Sequence, residues 1–361
     1  MAEKIKVVHL INSVEPGGAE NLLYSQIPYF NFNKYEIHVG FLQGKGHYFE
    51  DLSAIKLIDF SSKNNFTIFC IFKILYYVIK NKINIIHTHL IQASIIGRFV
   101  TLLVPGVKCV TTRHYARSKK DHSLINRLED FSENYCHAIV CISKYVKDHL
   151  IKIGINEAKL HIIYNGIDIE LFNSVILDNE HDLIIGTVGR LDKQKGIDIL
   201  ITAFRKVLIK YPQARLEIIG DGPQKEQLID LVEELKLVNY VTFYGKMTPN
   251  DVREKMCRWK SFVLASRWEA FGIVIIEANA IGLPVVATDV EAIPELISDG
   301  RNGYLVDPEN SDDLYEKIGK LLNNSEEAKL MGENGVRIVK QRFSSKRLVE
   351  KTENLYYNLI S

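Results

Sequence analysis

Short runs of β-branched and aliphatic residues alternate with longer stretches whose apolar positions recur at helical spacing, and this alternation continues along the whole 361-residue chain. The pattern is that of βαβ units, in which helices cover both faces of a parallel sheet. It occurs twice. In the first half it predicts strands over residues 4–11, 36–41, 55–59, 83–89, 107–112, 138–143 and 160–164. The second half offers 183–188, 214–219, 240–244, 261–265, 284–288 and 303–306. Between the halves, residues 173–182 lose periodicity and turn polar, which puts a domain junction there. Beyond Phe343, the spacing of Leu348, Leu355, Tyr356 and Leu359 predicts a terminal amphipathic helix. The expected division is a first domain over 1–175, a second over 176–343 and a closing helix over 344–361.

Composition narrows the class. The chain is longer than the ~250 to 300 residues at which one hydrophobic core stops growing, which agrees with two domains. Apolar residues make up 47% and charged residues 25%, so the chain is an ordinary globular protein. A net charge of +1 gives no global field for nucleic acid, and no nucleic-acid partner is expected. The charge is unevenly spread: residues 1–170 carry 20 Lys and Arg against 15 Asp and Glu, and the remainder carries 25 against 29. Five scattered cysteines, none in a Cys-x-x-Cys pair, argue against a disulfide framework and a structural zinc site, and point to a reducing, cytoplasmic setting. The apolar window 66–79 contains Lys73 and is shorter than the ~20 residues of a spanning helix. Being apolar nearly all round, residues 66–82 are predicted to bury against the sheet, with a membrane-facing amphipathic helix as the alternative.

The stretch from Ser266 to Ala287 is the most informative. It reads as strand end, loop, helix and strand, with a helix opening at Phe271 or Gly272 and stopping at Gly282 and Pro284. In open α/β sheets ligands bind at the carboxyl ends of strands, and helix N-termini there suit phosphate oxygens. Glu269 falls in the loop just before this helix, and Glu277 about two turns into it, among Ile273, Val274, Ile275 and Ile276. A carboxylate in such apolar company needs partners, and sugar or ribose hydroxyls can supply them. Solvation or helix capping would also account for both glutamates. Elsewhere, Gly17 and Gly18 follow the first strand and allow close backbone approach, but the segment lacks the Gly-x-Gly-x-x-Gly dinucleotide fingerprint. His87 and His89 end a strand on the same side. A metal site needs at least one more ligand, and neither a zinc arrangement nor an Asp-x-Asp pair is present, so a metal-independent site is expected. Arg113, His114, Arg117, Lys119 and Lys120 form a basic loop suited to an anionic acceptor, or merely to solvent.

Four motifs in fixed order carry a resemblance: Gly189-Arg190 through Lys195-Gly196, Gly220-Asp221-Gly222-Pro223, Glu269 with Glu277, and Ile293-Pro294-Glu295-Leu296. Together they resemble the nucleotide-sugar site of retaining GT-B glycosyltransferases of the GT4 family (glycosyl transferases group 1), bacterial cell-envelope type. The resemblance implies an α/β GT-B fold of two Rossmann-like domains with parallel sheets facing across a cleft. Acceptor would sit on the first domain and donor on the second, with the last helix packed back on the first. It implies that Arg190 and Lys195 hold the donor diphosphate, that Glu269 and Glu277 grip sugar and ribose, and that Gly220, Gly222, Ala270, Phe271, Gly272 and Ile273 complete the donor site. Gly17 and Gly18 would lie against donor phosphate and acceptor, and His89 against the donor sugar, while His87 is structural. Arg113, His114 and Arg117 become acceptor candidates. No cofactor or metal is implied. The donor is a nucleotide sugar, with UDP expected, and the acceptor a saccharide or lipid-linked hydroxyl in polysaccharide or glycolipid synthesis. Such an enzyme is cytoplasmic, with peripheral contact at the inner membrane surface left open. The alternatives are a sugar-nucleotide epimerase of the same fold, a phosphorylase, or a noncatalytic saccharide-binding protein.

Overall fold

The structure is a computed structural model that describes residues 3–15, 17–44, 49, 52–61, 67–116, 124–173 and 183–361. Two compact units divide the chain, Met1–Gly166 with Ser345–Ser361, and Ile167–Ser344. The first unit holds seven parallel strands, β1 (Ile5–Ser13), β2 (Tyr35–Gln43), β3 (Lys56–Asp59), β4 (Ile85–His89), β5 (Lys108–Arg113), β6 (Ala138–Cys141) and β7 (Leu160–Ile162), in the order β3-β2-β1-β4-β5-β6-β7. Its first helices are α1 (Gly18–Gln26), α2 (Thr67–Asn81), α3 (Ile91–Leu103), α4 (Leu124–Glu133) and α5 (Lys144–Lys152). The second unit holds six parallel strands, β8 (Ile184–Val188), β9 (Arg215–Ile219), β10 (Val241–Gly245), β11 (Ser261–Leu264), β12 (Val285–Thr288) and β13 (Gly303–Val306), in the order β10-β9-β8-β11-β12-β13. It carries α6 (Glu170–Asn173), α7 (Ile197–Lys210), α8 (Lys225–Glu234), α9 (Pro249–Met256), α10 (Ile273–Ile281), α11 (Ser311–Asn323) and α12 (Ser325–Arg342). The last helix, α13 (Ser345–Ile360), belongs to the first unit.

All thirteen strands read from the sequence are present, with no end displaced by more than two residues. The legible signal is burial on both faces: every residue of β4 and of β12 is buried, so neither shows the alternation of a half-exposed sheet; β12 is nearly all apolar, whereas β4 buries His87, Thr88 and His89 beside Ile85 and Ile86. Parallel crossovers are right-handed, so the direction of travel decides which face a helix covers. The connections through α2, α3 and α4 all step from the β3 edge toward β6 and lie side by side on one face, where Ile74, Val78, Ile96 and Val100 pack on Val8, Leu10 and Ile86. The step from β1 to β2 runs the opposite way and puts α1 on the other face. There α13 joins it, packing Val349, Leu355 and Tyr356 on Val7, Ile37, Ile85 and Val110.

One expectation is corrected by α2. It does not bury all round: Cys70, Ile74 and Val78 turn to the sheet, but Phe72, Tyr76 and Ile79 are exposed. A helix laid on a sheet with a neighbour at its side covers one stripe only, so apolar residues on the outer stripe stay in solvent. Of the window assigned from sequence, residue 66 lies outside the described residues.

In both sheets the strand order reverses beside a central strand. β1 and β4 are neighbours whose following helices, α1 and α3, leave to opposite faces, and β8 and β11 stand in the same relation to α7 and α10. The crevice outside the carboxyl ends of such a pair is where open α/β sheets take ligands. It is at these two places that the candidate residues collect.

Candidate active site

In the second unit, the loop after β8 carries Arg190 and Lys195, and the loop after β11 carries Glu269. The Lys195 ammonium donates to the Glu269 carboxylate, joining two residues 74 positions apart. Backbone contacts hold that register. Arg267 N donates to Gln194 O at 2.7 Å, and the Gln194 side-chain amide donates to Trp268 O at 3.0 Å. The Arg267 guanidinium donates to both oxygens of Asp198 at 2.9 and 2.8 Å and to Lys193 O at 3.0 Å, and also engages Glu309. Hydrogen bonding to Asp198 holds Arg267 still more firmly protonated. Glu269 is fixed through its own amide, which donates to Glu291 at 2.8 Å. Glu291 adopts a left-handed backbone, φ 47°, an unusual conformation for a glutamate and one that marks a constrained turn. Arg190 by contrast is exposed, 3.6 Å from Asp192.

Gly220 and Gly222 lie in the loop after β9, which packs backbone to backbone on the Arg190 loop. Leu191 N donates to Asp221 O at 3.0 Å, and a Cβ on Gly220 would stand 1.8 Å from Gly189 O. With φ at +138°, only glycine fits. Ala270, Phe271 and Gly272 lead into α10, whose first residue is Ile273. Glu277 is the fifth residue of that helix, about one turn in and not two, because the helix opens at 273. Burial pushes its carboxyl up to about 7, against the opposing pull of Arg253. The unit thus combines an exposed arginine, a lysine–glutamate pair and a second carboxyl poised near neutrality around one strand pair.

In the first unit four histidines meet. His9 of β1 stands in register with His87 of β4, and its Nδ1 lies 3.1 Å from His89 Nε2. His89 Nδ1 lies 3.3 Å from Nε2 of His114, which follows β5. In the other direction, His9 Nε2 lies 3.4 Å from the Tyr356 hydroxyl, which also meets His87 Nδ1, and His87 Nε2 lies 2.7 Å from Thr112 Oγ1. Burial pushes His9 down to about 3 and His114 to about 4, and His87 and His89 also fall well below the ordinary value for imidazole. All four rings are therefore neutral at physiological pH. Leu90, next to His89, holds φ at +67°, a strained conformation at the mouth of this crevice.

The third histidine that the sequence reading found missing for a metal site is His9. Ligand atoms of His9, His87 and His89 lie within 4.8 Å of one another. The absence of a third ligand therefore does not argue against metal here. His9 was missed because it sits 78 residues before His87, yet pairing of β1 with β4 in a doubly wound sheet would have placed them side by side.

Gly17 and Gly18 occupy the start of α1. Gly17 is its N-cap, and a Cβ there would press on the Glu20 carboxylate at 2.5 Å, whereas one on Gly18 meets nothing within 4 Å. Arg113 is not the solvent-facing cation that its basic surroundings suggested. It is buried, with guanidinium contacts to Glu129 at 2.6 Å, Glu133 at 3.0 Å and Asp130 at 3.3 Å, because three acids of α4 turn onto it. Arg117, with Lys119 and Lys120, lies outside the described residues.

Comparison with known proteins agrees with this arrangement. Glycosyl transferases group 1 matches residues 168–337, and Glycosyltransferase Family 4 matches residues 16–171. The chain belongs to glycosyltransferase family 4. An uncharacterized glycosyltransferase of Methanocaldococcus jannaschii is 36% identical over 222 residues, 61% of this chain and 59% of that protein. The gpi3 subunit of phosphatidylinositol N-acetylglucosaminyltransferase from Schizosaccharomyces pombe is 28% identical over 308 residues, 82% of this chain and 65% of that one. The matched region thus spans less than two thirds of the length of either relative. Anabaena HepE, solved in complex with UDP-glucose, superposes with a TM-score of 0.86 at 24% identity over 98% of this chain and 99% of that chain. The fold is that of GT-B glycosyltransferases.

Proposed function

We propose that this family 4 chain transfers a sugar, with retention of anomeric configuration, from a nucleoside diphosphate donor to a hydroxyl of a saccharide or lipid-linked acceptor, in the synthesis of a polysaccharide or glycolipid. The observation that carries the reading is the Lys195–Glu269 pair, since it puts a cation suited to phosphate beside a carboxylate suited to sugar hydroxyls. UDP is the favoured nucleotide, supported by the UDP-glucose bound to HepE.

The chemistry follows from charge. As the glycosidic bond to the diphosphate breaks, negative charge grows on the leaving oxygen, and Lys195 and Arg190 stabilise that state more than the bound donor. Glu269 accepts from sugar hydroxyls and Glu277 from ribose. His89, neutral through burial, adds no charge beside the sugar; to bond a sugar hydroxyl it exchanges one of its links to His9 and His114. No side chain is assigned as a covalent nucleophile. The acceptor attacks from the face the diphosphate leaves, and the departing phosphate oxygen takes its proton.

The test is incubation of the purified chain with UDP-glucose, UDP-N-acetylglucosamine and UDP-galactose, each with and without saccharide acceptors. UDP release that rises with acceptor, and a product whose anomeric proton in NMR keeps the donor configuration, are expected. Interconversion of donors without UDP release would instead make the chain an epimerase. Saccharide binding with no turnover would make it a noncatalytic binding protein.

A further inference from the structure

We infer that the outer face of α2, α3 and α4 docks on an anionic lipid bilayer. These helices lie side by side on one face of the first sheet, α3 between the other two. Their inner sides form the core. Their outer sides carry Phe72 and Tyr76 on α2, Phe99 and Leu102 on α3, and Leu128 and Phe131 on α4, each between 47% and 64% exposed. Scattered exposed apolar residues are normal on a soluble protein, but aromatic and aliphatic side chains gathered on three neighbouring helices form the continuous kind of patch that marks an interaction surface.

Charge selects the occupant. Between Asp59 and Asp121 the chain contains no acidic residue in 61 positions, against ten lysines and arginines, of which Arg98 and Arg113 are buried and do not reach this face. Lys73, Lys80 and Lys82 are exposed along α2 and the turn that ends it, and Arg127 on α4. The acids of α4 do not oppose them, because Glu129 and Glu133 are buried against Arg113 and Asp130 also contacts it. A second copy of this face would bring lysine against lysine, whereas anionic headgroups pair with the cations while the rings and leucines enter the boundary of the acyl chains. No helix among the described residues is long and apolar enough to cross a membrane, so the contact is one of lying on the surface. It does not depend on the transfer reaction proposed above.

Cosedimentation of the full chain with vesicles of phosphatidylcholine alone, or containing 30% phosphatidylglycerol, tests the proposal; the 30% is about the anionic content that gives a substantial negative surface potential. Partitioning at least tenfold higher onto the anionic vesicles, falling in high salt, is expected. The variant Phe72→Ser, Tyr76→Ser, Phe131→Ser should lose at least tenfold in partitioning with an unchanged thermal melt. The milder Lys73→Gln, Lys80→Gln should lose anionic preference even if the first variant folds poorly. Equal recovery of wild type and charge variant on both vesicles, or no binding by wild type, would overturn the proposal. So would a concentration-dependent dimer in light scattering that the apolar variant abolishes, since a second copy would then be the occupant.

Discussion

The Tyr356 hydroxyl of α13 hydrogen-bonds His87 of β4, across 269 residues of sequence. Through it runs a chain of contacts, Thr112, His87, Tyr356, His9, His89 and His114, in which every ring is neutral and every link needs one proton. Two proton arrangements satisfy all five links with the Tyr356 hydroxyl donating to one ring and accepting from the other. In one, each histidine carries its proton on Nε2 and accepts at Nδ1; in the other, all are reversed. The tautomer of His89 is therefore tied to that of His87 and to the Tyr356 hydroxyl rather than chosen locally.

Removing the hydroxyl should break the chain at its middle. Tyr356→Phe keeps the ring but leaves His87 Nδ1 and His9 Nε2 without their shared partner, and a buried polar group so stranded costs about 1 to 3 kcal/mol. Urea unfolding should show that loss with an unchanged m-value.

Acid should destabilise the first unit before its carboxylates titrate. Buried histidines that stay neutral when folded bind protons when unfolded below about pH 6.5, so the unfolded state gains as pH falls. With folded values of about 3 for His9 and 4 for His114, stability is complete above pH 6.5 and declines from there to about pH 4 for His114 and about pH 3 for His9. At pH 5 each contributes a loss of about 2 kcal/mol. Denaturant titrations at pH 7.5 and pH 5 measure the sum; equal stabilities would refute the neutral chain.

Lys195→Ala should lower kcat/KM for UDP-sugar turnover by roughly 10² to 10³, the usual scale for removing one leaving-group stabiliser. Arg190→Ala, on an exposed side chain, should lower turnover with no change in melting temperature.

Glu277, with its carboxyl near 7, ought to give the donor a pH-dependent affinity. Only the ionised form accepts two ribose hydrogen bonds at full strength, so donor KM should rise as pH drops below about 7. In Glu277→Gln that dependence should vanish and KM should stay high throughout.

Two substitutions separate architecture from ligand approach. Gly220→Ala forces a Cβ into a carbonyl at a left-handed φ and should cost about 2 to 4 kcal/mol. Gly18→Ala meets open space and should leave stability unchanged, while slowing turnover if a ligand approaches that backbone.

The strands were legible because short β-branched and aliphatic runs alternate with stretches of helical spacing, and the Lys195 and Glu269 loops because glycine punctuates them. What stayed hidden depends on partners distant in sequence. Arg113 looked like a surface cation because Glu129 and Glu133 lie a loop and a helix away, and no periodicity links them. The clamp of Gln194 and Arg267 that sets the Lys195–Glu269 distance leaves no local signature. The outward stripe of α2 was read as core because apolar content alone cannot distinguish a helix covered on two sides from one covered on one.

Placing α13 in the first unit also imposes an order on synthesis. Tyr356, Leu355 and Val349 close the core around Val7 and Ile85, yet they leave the ribosome after the whole of Ile167–Ser344. The second unit can finish folding on the nascent chain while the first waits with an open apolar sheet face, a period when chaperones would find it.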